Sequence, residues 1–152
     1  MQMRTNSSGF TLIELIMVIV ILTIVSLYAA SRYMSSGISV FAAQEESLAI
    51  IRQVQVNRMQ SNVSGATSNN NFILSISNDC LGSVSSCNSR SDSRSDWSSP
   101  DNIRYSPNQT ISFDLLGNPS GGAKTITITE SAGQTCEVNI NSQGYVSKGV
   151  CS

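Results

Sequence analysis

Between Phe10 and Ala30 the chain runs 21 residues with a single charge, Glu14. As a helix this run measures about 31 Å at roughly 1.5 Å per residue, enough to cross a bilayer core of roughly 30 Å. An acid five residues into such a segment costs a few kcal/mol in hydrocarbon, so a functional partner is its default expectation. Met1 to Gly9 is short and polar with one cation, Arg4, a weak bias that keeps the N-terminus cytoplasmic. A conventional signal peptide is the rival reading, with Tyr28-Ala29-Ala30-Ser31 as its cleavage site. Glu14 inside the apolar run and the lack of a charged leading region argue against it.

The residues after the apolar run predict an α+β fold. Residues 31–62 read as an amphipathic continuation of the same helix, with Phe41, Ala42, Ala43, Leu48, Ile51, Val54 and Met59 recurring at spacings of three and four. Gly37 is its weak point, at about 1 kcal/mol relative to Ala, and Asn62, Ser64 and Gly65 supply the stop. From Asn71 the period changes to two. Phe72 to Ser77, Ile111 to Leu115, Ile126 to Ile128, Cys136 to Ile140 and Tyr145-Val146 predict a small antiparallel meander, whose apolar face only the amphipathic helix can cover. Residues 83–107 are rich in Ser and Asn, with the tetrads Ser89-Arg90-Ser91-Asp92 and Ser93-Arg94-Ser95-Asp96 in tandem. They read as one long exposed loop, solvated through its charges and anchored by Trp97. The organisation is thus a leader (1–9), an apolar helix (10–30), its amphipathic extension (31–62) and a β-domain (63–152).

Several function classes drop out. Nine Lys and Arg stand against ten Asp and Glu, net −1 without a basic patch, so nucleic acid is not an expected partner. Histidine is absent, which removes the commonest general base and metal ligand. No nucleophile elbow occurs, so no enzyme is expected. Asp92, Asp96 and Asp101 lack the density of a calcium loop; no metal and no cofactor are assigned. Cys80, Cys87, Cys136 and Cys151 form an even set in an exported chain, which favours disulfides. Three pairings are possible; local spacing favours Cys80 with Cys87 and Cys136 with Cys151.

The stretch Gly9-Phe10-Thr11-Leu12-Ile13-Glu14-Leu15, continuing to Val25, resembles the processing site and N-terminal helix of the type IV pilin family. The resemblance implies a pilin fold, a long N-terminal helix packed on a small antiparallel sheet. It implies cleavage between Gly9 and Phe10 by a prepilin peptidase that also methylates the Phe10 nitrogen. Glu14 is then the assembly residue, its carboxylate paired in the filament with the Phe10 amine of a neighbouring subunit. Many members have proline where this chain has Ser31; without it a more continuously helical stem is expected. The Cys136 to Cys151 enclosure resembles the C-terminal disulfide-bounded loop of true pilins.

Beyond the helix, Ile111 to Asn118, Ile126 to Glu130 and Val138 to Val146 resemble minor pilins of the GspH/FimT type. Tyr28 to Tyr33 and Phe41 to Gln44 are similar to minor pilins of mannose-sensitive haemagglutinin pili. The resemblance implies three roles. The leading one is a minor subunit in a pilus initiation or tip complex, inserted in the inner membrane with its C-terminal domain in the periplasm and reaching the cell surface on assembly. Its partners are other major and minor pilins, the peptidase/methyltransferase and an inner-membrane assembly platform. The second is a pseudopilin of type II secretion, which the Cys136/Cys151 enclosure disfavours. The third is a DNA-uptake or adhesive tip module; DNA binding needs clustered cations, and residues 141–152 hold only Lys148.

Overall fold

The computed structural model describes residues 11–33, 38–61 and 68–152, with backbone alone for 27, 29–33 and 38. The chain divides into two compact units, Met1–Ser36 and Gly37–Ser152.

The first unit contains α1, Leu12–Tyr33. Its Leu, Ile, Val and Met content carries the helix without any N-terminal proline or internal glycine. Its backbone stays helical through Ser31. The second unit opens with α2, Ile38–Gln60. Gly37, the expected weak point, and the expected stop residues Asn62 to Gly65 lie outside the described residues.

Among the described residues eight strands come after α2, in two antiparallel sheets rather than the single meander expected. The first sheet joins β1 (Ile73–Ser77), β2 (Cys80–Ser83), β3 (Trp97–Ser98) and β5 (Gln109–Ser112) in the order β3-β2-β1-β5. The second joins β4 (Ile103–Ser106), β6 (Lys124–Glu130), β7 (Thr135–Ile140) and β8 (Val146–Cys151) in the order β4-β6-β7-β8. The two sheets share one core with α2. Leu74, Ile76, Leu81 and Ile111 enter from the first, Ile103, Tyr105, Ile126, Ile128, Val138 and Ile140 from the second, and Val40, Leu48, Ile51 and Val54 from α2. The architecture is therefore α+β, a helix packed on antiparallel sheets in a pilin-like fold.

Two corrections come with the second sheet. Residues 83–107, expected as an exposed loop, carry the short helix α3 (Val84–Asn88), β3 and β4. Ile103 and Tyr105 of this segment are fully buried. The short elements escape a period-two scan because β3 is two residues long and α3 five. Gly82 permits β3 to approach β2, since a Cβ there would lie 2.6 Å from the Trp97 Cα.

The second correction concerns α2. Phe41, Ala42 and Met59, expected on its apolar face, are exposed, whereas Gln44, Ser47, Gln55 and Arg58 are buried. These polar groups replace apolar ones because each finds a partner in the strands and turns of the β-domain or in the helix itself. The Gln44 amide donates to the Glu137 and Gly149 carbonyls at 2.7 and 3.3 Å. Ser47 donates to the Ala43 carbonyl at 2.6 Å, and Arg58 Nε to the Phe113 carbonyl at 3.1 Å. A buried polar group with a partner costs little, and one without is expensive.

Candidate assembly site

At the head of α1, the Thr11 hydroxyl accepts the Glu14 backbone N–H at 3.3 Å, and the Thr11 carbonyl accepts from Glu14 and Leu15 at 3.1 and 3.2 Å. Thr11 thus acts as the N-cap. Glu14 falls in the first turn, where the unpaired N–H groups give the helix its positive end and a carboxylate is favoured. Every described side chain of α1 is exposed, Leu12 at 77%. Thr23 and Ser26 spend their hydroxyls inside the helix: Thr23 donates to the Val20 carbonyl at 2.7 Å and Ser26 to the Leu22 carbonyl at 2.6 Å. From Leu12 to Ser26 the helix thus has an apolar exterior, hydroxyls bonded to its own carbonyls and one carboxylate near its start. Gly9 and Phe10, the expected cleavage and methylation residues, lie outside the described residues. Among the described residues no helix is long and apolar enough to cross a membrane. The unbroken run of described side chains in α1 ends at Ser26, so the expected span, residues 10–30, falls partly outside them.

In the second unit the cysteines close as Cys80–Cys87 and Cys136–Cys151. The first ties β2 to α3. The second joins register partners of β7 and β8, with Cα atoms 4.1 Å apart.

Three arrangements around these bridges escape the sequence reading. The second tetrad is a half-buried hub, not a solvated run. Arg94 holds Asp96 through Nε and Nη2 at 3.0 and 2.8 Å, Ser86 donates to the same carboxylate at 2.6 Å, and Arg94 reaches Asn71 at 3.0 Å. Burial pushes the Asp96 carboxyl up, but hydrogen bonds from Arg94, Ser83 and Ser86 with the Arg94 charge outweigh it and hold the group well below the usual carboxylate range. In the first tetrad Arg90 pairs with Asp79 at 2.5 Å in solvent, and the Ser91 carbonyl accepts the Trp97 indole N–H at 3.1 Å.

A second arrangement is the pairing of the turn Asn141 to Tyr145, legible in the sequence, with a matching one at Asp114 to Asn118 that was not. Asp114 Oδ1 accepts the N–H groups of Leu116 and Asn118 at 2.9 and 2.8 Å; Asn141 Oδ1 accepts those of Gln143 and Tyr145 at 3.0 and 2.8 Å. Gly117 and Gly144 take positive φ at the same place in each turn, +84° and +82°. The turns touch glycine to glycine, and Gln55 of α2 donates its amide to both glycine carbonyls at 3.0 and 2.8 Å. The carboxylate of Asp114 is drawn below its usual range by the Asn118 side chain and the turn's own N–H groups.

The third is the beginning of α2, where the Ser39 hydroxyl donates to the buried Glu130 carboxylate and Lys148 pairs with Glu45. Among the described residues no group of three or more His, Cys, Asp or Glu is placed to hold a metal ion.

Residues 4–30 match the prokaryotic N-terminal methylation motif, so the match covers the N-terminal segment alone. No curated protein and no solved structure matches the chain. The motif implies processing by a prepilin peptidase, residence in the inner membrane before assembly and in the filament afterwards, and assembly with other pilins. Its bearers are structural proteins, not enzymes. Over residues 4–30 the chain is thus similar to the type IV pilins and pseudopilins.

Proposed function

We infer that the chain is a minor structural subunit of a type IV pilus, of the GspH/FimT type, that enters an initiation or tip complex. One observation carries the reading. The described part of α1 exposes an apolar surface on all sides and carries a single acid, Glu14, in its first turn. Such a helix is stable in lipid or among other helices like it, and in either setting the carboxylate needs a cation. The nitrogen released at Phe10 by cleavage after Gly9 supplies one, from a neighbouring subunit. Before assembly the chain spans the inner membrane once over residues 10–30, with its N-terminus cytoplasmic and residues 31–152 periplasmic. Its partners are major and minor pilins, the peptidase/methyltransferase and the assembly platform.

Support for a pilus over a secretion pseudopilus comes from the Cys136–Cys151 bridge, which encloses the turn 141–145 and β8. DNA uptake fits less well, because Lys148, the one cation of residues 141–152, is engaged by Glu45.

Deleting the gene and measuring pilus number and secreted enzymes in one strain tests the assignment. Loss of pili with secretion intact is expected; the opposite result selects the pseudopilus. Mass spectrometry of the membrane fraction should find a mature N-terminus at methylated Phe10, and Gly9→Val should leave the precursor uncut. A mature chain starting after Ala30 would refute the pilin reading.

A further inference from the structure

The matched turns hold apolar side chains out of the domain. Leu116 is 76% exposed, Tyr145 66% and Leu115 50%, beside Met59 and Val56 on the last turns of α2. Grooves flank Leu116 on both sides, one reaching Leu115 and Pro119, the other Val56, Met59 and Tyr145. The Asp114 and Asn141 hydrogen bonds and the Gln55 clamp fix the backbone that carries Leu115, Leu116 and Tyr145. Preorganised apolar groups lose little conformational freedom on docking.

We propose that Val56, Met59, Leu115, Leu116 and Tyr145 form a docking surface for a neighbouring pilin subunit of the same filament. The inference rests on the reading of the chain as a filament subunit. Area identifies the occupant. The five side chains expose on the order of 500 Å², large for a patch on a monomer. A stable interface needs about 800 Å² from each partner. The patch therefore does not hold a partner by itself; its occupant is delivered by a second contact. A neighbouring subunit meets that condition, because the apolar surface of α1 anchors it independently. Two weak contacts then act together through raised effective concentration.

The test uses the full chain in cells, with a photo-crosslinking amino acid at position 116. The expected adduct joins this chain to a pilin of the same filament and falls about tenfold in cells lacking the assembly machinery. Leu116→Asp should lower the chain's share in sheared filaments about tenfold, with N-terminal cleavage and both disulfides intact by mass. Leu116→Met and Val150→Asp, the latter an exposed apolar site outside the patch, should keep wild-type incorporation. The proposal is overturned by wild-type incorporation of Leu116→Asp, by an equal fall for Val150→Asp, by adducts only with lipid or a non-pilin protein, or by an adduct that persists undiminished without assembly. Absence of the wild-type chain from every filament overturns the functional reading itself, and the docking surface with it.

Discussion

Glu14 and Asp96 are both carboxylates in the chain, and their surroundings give them opposite work. Glu14 has the N–H groups of the first turn of α1 behind it and an apolar exterior around it. Glu14→Leu should leave membrane insertion and the folded domain unchanged, because it removes the one group that resists hydrocarbon. Incorporation should fail, read as a cleaved, disulfide-bonded subunit held in the inner membrane while pilus number falls. Wild-type pilus number in this variant would remove the assembly role from the carboxylate. Asp96 is buried and carries the Arg94 hub, while the Arg94 side chain keeps access to water, so Asp96→Asn should lower stability by about 2 kcal/mol near neutral pH. Its folded pKa lies below the unfolded value of about 3.9, so its stabilisation is present above pH 4 and disappears as pH falls through the folded pKa. Urea unfolding of the detergent-solubilised chain should show the gap between wild type and variant closing in acid. A gap independent of pH would mean the charge is not the source.

Elements show where the sequence was legible. Apolar alternation located β1, β6 and β7, where Leu74 and Ile76, Ile126 and Ile128, and Cys136, Val138 and Ile140 are buried between less buried, mostly polar neighbours. It overran β5, because Phe113 and Leu115 continue the alternation while Asp114 between them closes a turn on Leu116 and Asn118. Turn chemistry of this kind is carried by one side chain and leaves no period to find. In α2 the failure has another cause: Gln44, Gln55 and Arg58 are buried against carbonyls far along the chain, in strands and turns, partners no local pattern reveals. The seam between the matched turns is testable through its glycines. A Cβ on Gly144 would lie 2.2 Å from the Gly117 carbonyl oxygen, whereas one on Gly133, also at positive φ, meets nothing within 4 Å. Gly133→Ala should therefore cost about 1 kcal/mol, the conformational term alone, and Gly144→Ala about 3 kcal/mol or more. Equal urea midpoints for the two would show that the seam is loose.

At the level of the whole molecule, the pattern of four cysteines and an apolar N-terminal run anticipated a small oxidised domain behind a pilin-type helix. The division of the strands into two sheets was not legible, because it depends on β4 leaving the first sheet to pair with β6, a contact across about 25 residues. Thiol alkylation of the exported chain without reductant should find no free cysteine, with peptides linked only as Cys80–Cys87 and Cys136–Cys151; replacing Cys136 and Cys151 together by serine should cost about 3 kcal/mol. Crossed pairs would contradict the placement of α3 beside β2. The second bridge has a mechanical meaning as well. β8 is the edge of its sheet and ends one residue before Ser152, and Cys151 faces Cys136 across the ladder. A pull on the chain beyond Cys151 would otherwise peel β8 from β7 one hydrogen bond at a time. With the bridge at that end, the load passes covalently into β7, and β8 can be neither unzipped from its tip nor traded to another subunit.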